Sequence, residues 1–136
     1  MLTWQGWLNK SQASIIAAQN SLKAGNLAAA VSRVYFAAFQ AVTGALIKRG
    51  NQPNPATGNW GHSATQNQFP VLVRQVHSKQ RRLRQARRYF KRLYFYRAFA
   101  DYGDDSTFTK NLTQQLVREA GQAVSLIQKL IEDGDI

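Results

Sequence analysis

The stretch from Arg81 to Tyr102, RRLRQARRYFKRLYFYRAFADY, constrains the fold more than any other part of this chain. Leu83, Ala86, Phe90, Leu93, Arg97 and Ala100 recur at spacings of 3, 4, 3, 4 and 3, which puts them on one face of a helix. Five of these six residues are apolar and the sixth is an arginine. A buried guanidinium with no partner is costly, so Arg97 either snorkels, with its stem covered and its head in water, or faces a polar cleft where it handles phosphate. Asp101, four residues on, is within pairing reach of Arg97 on a helix. The opposite face carries Arg81, Arg84, Arg88, Lys91 and Arg92 as a cationic stripe. Like charges at this spacing repel, and contact with a polyanion would offset the repulsion.

Charge along the chain is one-sided. The net charge is +11, yet all seven acids lie at or after position 101, so residues 1–100 hold 15 Lys and Arg and no Asp or Glu. Such a chain calls for an anionic partner, with nucleic acid or a nucleotide first, an acidic protein second and an anionic membrane third. The aromatics beside the stripe (Tyr89, Tyr94, Phe95, Tyr96 and Phe99) either fill a core or dimer interface or stack on exposed bases.

The rest of the sequence reads as helices joined by turns. Residues 3 to about 24 form an apolar stripe from Trp4 to Leu22, with Thr3 as its cap. A second helix from the Asn26 cap to about Arg49 is apolar most of the way round, and so is the expected core helix. Residues 50–61, GNQPNPATGNWG, form a loop. A short helix follows from His62 or Ser63 to about Ser78, and Pro70 is expected to kink or interrupt it. The arginine-rich helix ends at Gly103, and Asp104, Asp105 or Ser106 is expected to cap a last helix reaching about Asp133. No strand-like alternation occurs. The expectation is a single all-α domain over residues 1–136, an antiparallel four-helix-type bundle with an additional short helix.

Several chemistries are absent. With no cysteine there are no disulfides, thiolate metal sites or cysteine nucleophiles, and the composition fits a reducing cytoplasm. Two histidines and no paired carboxylate before position 101 argue against a dedicated metal site, and no motif asks for a cofactor. The longest apolar run, Val34 to Ile47, has 14 residues and is too short to span a bilayer, so no membrane role is expected.

Two segments together resemble a known family. Residues 30–39, AVSRVYFAAF, resemble the Ser-Arg-x-Tyr-Tyr/Phe-Ala-x-Phe signature of HEPN-domain proteins, in particular the small stand-alone bacterial and archaeal group. His62 after a loop, then Arg97, Asp101, Tyr102 and Gly103, follow in the order found in that group, and the resemblance spans roughly residues 26–131. It implies an antiparallel helical bundle, usually a homodimer with a cleft at its interface. It also implies either a metal-independent ribonuclease, often a toxin, or the non-catalytic partner of a minimal nucleotidyltransferase. The family's nuclease motif is an arginine followed four to six residues later by histidine. Arg97 fills the first position here, but no histidine follows and position 102 is tyrosine. RNA cleavage through the 2′-hydroxyl needs a base near neutral pKa and a cation for the developing charge. The site expected from the resemblance therefore has Arg97 holding phosphate with Arg33 assisting. His62, Asp101 or Tyr102 would serve in proton transfer or positioning, and Arg81, Arg84, Arg88, Lys91 and Arg92 would guide the polyanion.

Overall fold

Thr3 opens the first helix by accepting a hydrogen bond from the Gly6 N–H on its side-chain oxygen, at 3.1 Å. The computed structural model describes residues 2–52, 61–103 and 108–136. In it α1 spans Trp4–Lys23, α2 Leu27–Lys48, α3 His62–Gln75, α4 Gln80–Tyr102 and α5 Lys110–Glu132. No strand occurs among the described residues. The architecture is a helical bundle in which the 14-residue α3 is the short addition.

Helix α2 is the core element and packs on α1, α3, α4 and α5. Its small residues permit this close packing. Gly44 faces α1, where a Cβ would lie 3.2 Å from the Trp4 carbonyl oxygen. Helix α2 is long and apolar enough to cross a bilayer, which the 14-residue run did not suggest, but 72% of that window is buried inside the bundle. Leu83, Ala86, Phe90 and Leu93 of α4 are all buried, as the seam requires, and meet Tyr35, Phe69 and Leu72 in one core. From Leu116 to Leu130, the stripe of α5 is buried in the same way.

Two boundaries differ from the sequence expectation. Helix α3 runs unbroken through Pro70. A proline there removes one intrahelical donor, while burial of Phe69 before it and Leu72 and Val73 after it anchors both halves to the core. Helix α5 starts at Lys110, where Thr109 accepts from the Leu112 N–H at 3.1 Å. The caps expected at Asp104, Asp105 or Ser106 lie outside the described residues, as does most of the loop at 50–61. Gly103 ends α4 as expected, and a Cβ there would sit 2.6 Å from the Phe99 carbonyl oxygen.

Candidate functional site

Ser32, Tyr35 and Phe36 occupy positions i, i+3 and i+4 of α2 and so point to one side. That side meets the C-terminal half of α4. Tyr35 is fully buried, and its ring stacks on Phe90 with centroids 6.0 Å apart and planes 16° apart. The Arg97 guanidinium lies over this platform, 5.3 Å from the Tyr35 ring centroid and 6.0 Å from that of Phe36. One turn later Asp101 holds it, with 3.2 Å between Arg97 Nε and Asp101 Oδ2. Ser32 Oγ donates to the other carboxylate oxygen, Oδ1, at 3.0 Å. The ion contact is close, but its angle does not make a hydrogen bond, so the buried Nε–H of Arg97 stays unfilled. The Arg97 side chain is 20% exposed. It is therefore a half-buried cation held by an aromatic surface and a carboxylate, more enclosed than a snorkelling arginine with its head in bulk water.

His62, the first residue of α3, enters from the third side. Its Nδ1 lies 2.6 Å from the Tyr35 hydroxyl, and its ring packs 4.9 Å from that of Phe39. Assigning Tyr35 O–H as the donor to Nδ1 satisfies a buried phenol that has no other hydrogen-bond partner among the described residues. A neutral His62 then carries its own proton on Nε2, which has no protein partner there. Burial raises the Tyr35 phenol well above its ordinary range, against the opposing pull of the Arg97 charge, and keeps it a donor. Burial lowers the His62 pKa, the Arg97 charge lowers it further, and Asp101 partly opposes both. The result is a neutral imidazole offering an N–H beside a fixed guanidinium. Both groups suit an anionic oxygen, and the cluster holds no free strong base.

Of the residues expected at the site, Arg97, His62 and Asp101 come together. Tyr102 does not: one residue beyond Asp101 it is 85% exposed and turned away. Arg33 is exposed and makes no ion pair or hydrogen bond among the described residues, because one step along α2 from Ser32 turns it off the shared face. Arg81, Arg84, Arg88 and Lys91 are exposed with no acid paired to them among the described residues. Arg92 is different. It donates to Glu119 Oε1 at 2.7 Å and lies over the Tyr96 ring, so its charge is satisfied within the fold. Ser32, Tyr35 and Phe36 were not singled out as site residues, although their i, i+3, i+4 spacing within the Ser-Arg-x-Tyr-Phe segment was the available signal. No group of three or more His, Asp or Glu able to hold a metal ion occurs among the described residues. A groove of about 570 Å³ between α4 and α5 contains none of the cluster residues, so cavity size alone does not locate this chemistry.

A family model of the HEPN domain matches residues 4–132. The chain belongs to the HEPN-domain family. No curated protein matches the sequence.

Proposed function

We propose that this HEPN-domain protein binds RNA through its phosphates at the cluster of Ser32, Tyr35, His62, Arg97 and Asp101. The observation that carries the reading is the convergence of Arg97 and His62, from separate helices, on the single buried ring of Tyr35. Arg97 supplies charge and a planar fork of donors for a phosphate, and His62 Nε2–H supplies a neutral donor. Asp101 and Ser32 aim the guanidinium and are positioning residues. In RNA cleavage the 2′-oxygen attacks phosphorus, its proton passes to a base, and the departing 5′-oxygen takes a proton from an acid. His62 in this tautomer is fitted to donate a hydrogen bond to a phosphate oxygen and not to give up a proton, because a neutral imidazole N–H is too weak an acid for the leaving-group step. Arg97 is fitted for the charge on phosphorus. Asp101, the carboxylate that would serve as base, is already engaged by Ser32 and Arg97. Binding therefore outweighs cleavage in this reading, and any cleavage is independent of metal. We place the protein in the cytoplasm as a homodimer, with Phe95 and Phe99, 60% and 40% exposed on the side of α4 turned away from Arg97, as the face a second copy covers.

The test is fluorescence anisotropy with labelled RNA, with the same RNA run on a denaturing gel with and without EDTA. Wild type should bind, and Arg97→Ala should weaken binding by roughly tenfold or more, as expected for loss of a charge-assisted contact. Unchanged affinity in Arg97→Ala would remove the site from the reading.

A second reading rests on Tyr102, whose phenol is 85% exposed at the end of α4. In that reading the chain is the non-catalytic partner of a minimal nucleotidyltransferase, which would modify this tyrosine. Intact mass of the protein co-expressed with its neighbouring gene, compared with Tyr102→Phe, decides it. A mass increment absent from the variant supports the second reading, and no increment removes it.

A further inference from the structure

Beside the cluster, α3 and α4 diverge to leave an open groove of about 410 Å³. Ser63, Gln66 and Asn67 line its α3 side, and Arg87, Lys91 and Tyr94 its α4 side. The volume is in the range of sites that hold small organic ligands, roughly 300–1,000 Å³. The two ends differ. At one end Tyr94 is half-buried with its ring 5.9 Å from that of Tyr35, so this end of the groove is next to the cluster. At the other end Arg87 and Lys91 are exposed, and neither has an acid paired to it among the described residues. No acid lines the groove. Gln66 crosses its floor and donates to the Phe90 carbonyl at 3.4 Å, a long bond that leaves most of its amide available.

We infer that this groove is the track along which a single-stranded polynucleotide reaches the Arg97–His62 cluster, a reading that rests on the phosphate-binding role proposed above. Arg87 and Lys91 are one turn apart, about 6 Å along the helix, and Arg97 lies about 9 Å beyond Lys91. A ligand with repeated negative charges satisfies all three, whereas a single phosphate satisfies one. The amides and the hydroxyl of α3 face the same space and offer hydrogen bonds of both senses to a base or ribose. Tyr94 offers a ring for stacking. An acidic peptide would find the cations but would leave the amide wall and the ring unused. Arg87 was not among the residues expected to bind nucleic acid. It belongs to the track because it flanks α3, whereas Arg81 and Arg84 do not line the groove.

The experiment measures binding of labelled oligouridylate and oligodeoxythymidylate, from two to twelve nucleotides, at several salt concentrations. The doubles Arg87→Gln/Lys91→Gln and Lys10→Gln/Lys23→Gln lose the same charge. The second pair lies on α1, which packs against α2 and α5. All four residues are exposed, and circular dichroism confirms that each double is folded. The groove double should lower affinity about tenfold or more and reduce the salt slope by about 1.4, the value for two phosphates on a single strand. It should also abolish the gain in affinity from two to four nucleotides, and the α1 double should leave all three quantities near wild type. Tighter binding of oligouridylate assigns the track to RNA, and equal binding assigns it to single strands of either sugar. Equal losses in both doubles would overturn the track while leaving the cluster reading intact. Absence of binding by wild type even at low salt would overturn the cluster reading, and the track with it.

Discussion

The Tyr35 ring and the Tyr35 hydroxyl do different work, and two substitutions separate them. The ring is fully buried and lies within about 6 Å, centroid to centroid, of Phe36, Phe39, His62, Phe90 and Tyr94. Tyr35→Ala removes all of that and opens a cavity, at a cost of about 3–5 kcal/mol. Tyr35→Phe keeps the ring and removes one hydrogen bond, to a histidine that is only half-buried and can turn to water. The net loss is about 1 kcal/mol. For a chain of this length that lowers Tm by roughly 3–5 °C. The effect on the site should be larger than the effect on the fold. Without the phenol, nothing fixes His62 Nδ1 as an acceptor, and both neutral tautomers become populated. Nitrogen-15 spectra of the imidazole should show Nδ1 without a proton and Nε2 with one in wild type, and averaged values in Tyr35→Phe. RNA affinity should drop a few-fold in the same variant. Tyr35→Phe with wild-type imidazole shifts would refute the tautomer argument. A loss of 3 kcal/mol or more in that variant would refute the separation of ring from hydroxyl.

Three further outcomes follow from the same contacts. His62 titrates below its ordinary value of 6.5 in the folded protein, so the unfolded chain binds its proton more readily. The stability this group contributes is thus complete above about pH 6.5 and lost as pH falls through the lowered value, and urea melts across that window should show His62→Gln with a weaker acid dependence. Arg92→Met leaves Glu119, 6% exposed, with only the Gln115 amide at 3.3 Å, and should cost about 1–3 kcal/mol, less than a fully buried pair because Arg92 is 36% exposed; adding Glu119→Gln should restore most of it in chemical denaturation. Phe95→Glu should leave the fold unchanged and shift sedimentation from dimer to monomer, because its ring is 60% exposed and packs edge-on against Phe99.

The parts of this protein that could be read from sequence are those that depend on period. Leu83, Ala86, Phe90 and Leu93 announce their helix because burial repeats every three or four residues. Arg97 was legible for the same reason, as a charge that breaks an apolar row. The start of α5 was not, because Asp104, Asp105, Ser106 and Thr109 are all good caps and local chemistry does not rank them. The contact between Tyr35 and His62 spans 27 residues and a loop, and no local pattern encodes it. Tyr102 and Arg33 show a different limit. Each stands one position from a residue that does enter the cluster, Asp101 and Ser32, and one position on a helix is a rotation of about 100°. A motif written as a string treats such neighbours alike, whereas the helix sends one to the site and the other to solvent.

Helix α4 reverses most of the usual rules for starting a helix, and that supports an anion as its partner. Its first turn contains no acid, Arg81, Arg82 and Arg84 follow within five residues, and Lys79 at the cap sits at φ 53° without a side-chain capping bond. Cations at this end oppose the helix dipole, each by about 0.3–1 kcal/mol. Between Arg81 and Arg92, the pairs Arg81–Arg84, Arg84–Arg87, Arg84–Arg88, Arg87–Lys91, Arg88–Lys91 and Arg88–Arg92 are like charges at i+3 or i+4, each costing about 0.2–0.5 kcal/mol. The pairs alone sum to roughly 1–3 kcal/mol. The neighbouring side chains are about 5–6 Å apart, well inside the screening length of about 10 Å at 0.1 M salt and beyond that of about 3 Å at 1 M. Adding sodium chloride from 0.05 to 1 M should therefore stabilise the free protein by about 1–2 kcal/mol in urea melts, and Arg84→Gln/Arg88→Gln should gain stability at low salt and respond less to added salt. Single-stranded RNA should deliver the same relief at micromolar concentration, since its phosphates sit on the cations instead of diffusing past them. Stability that is flat or falling with salt would mean that the arginines are not strained in the free protein, and the electrostatic case for a polyanion would fail.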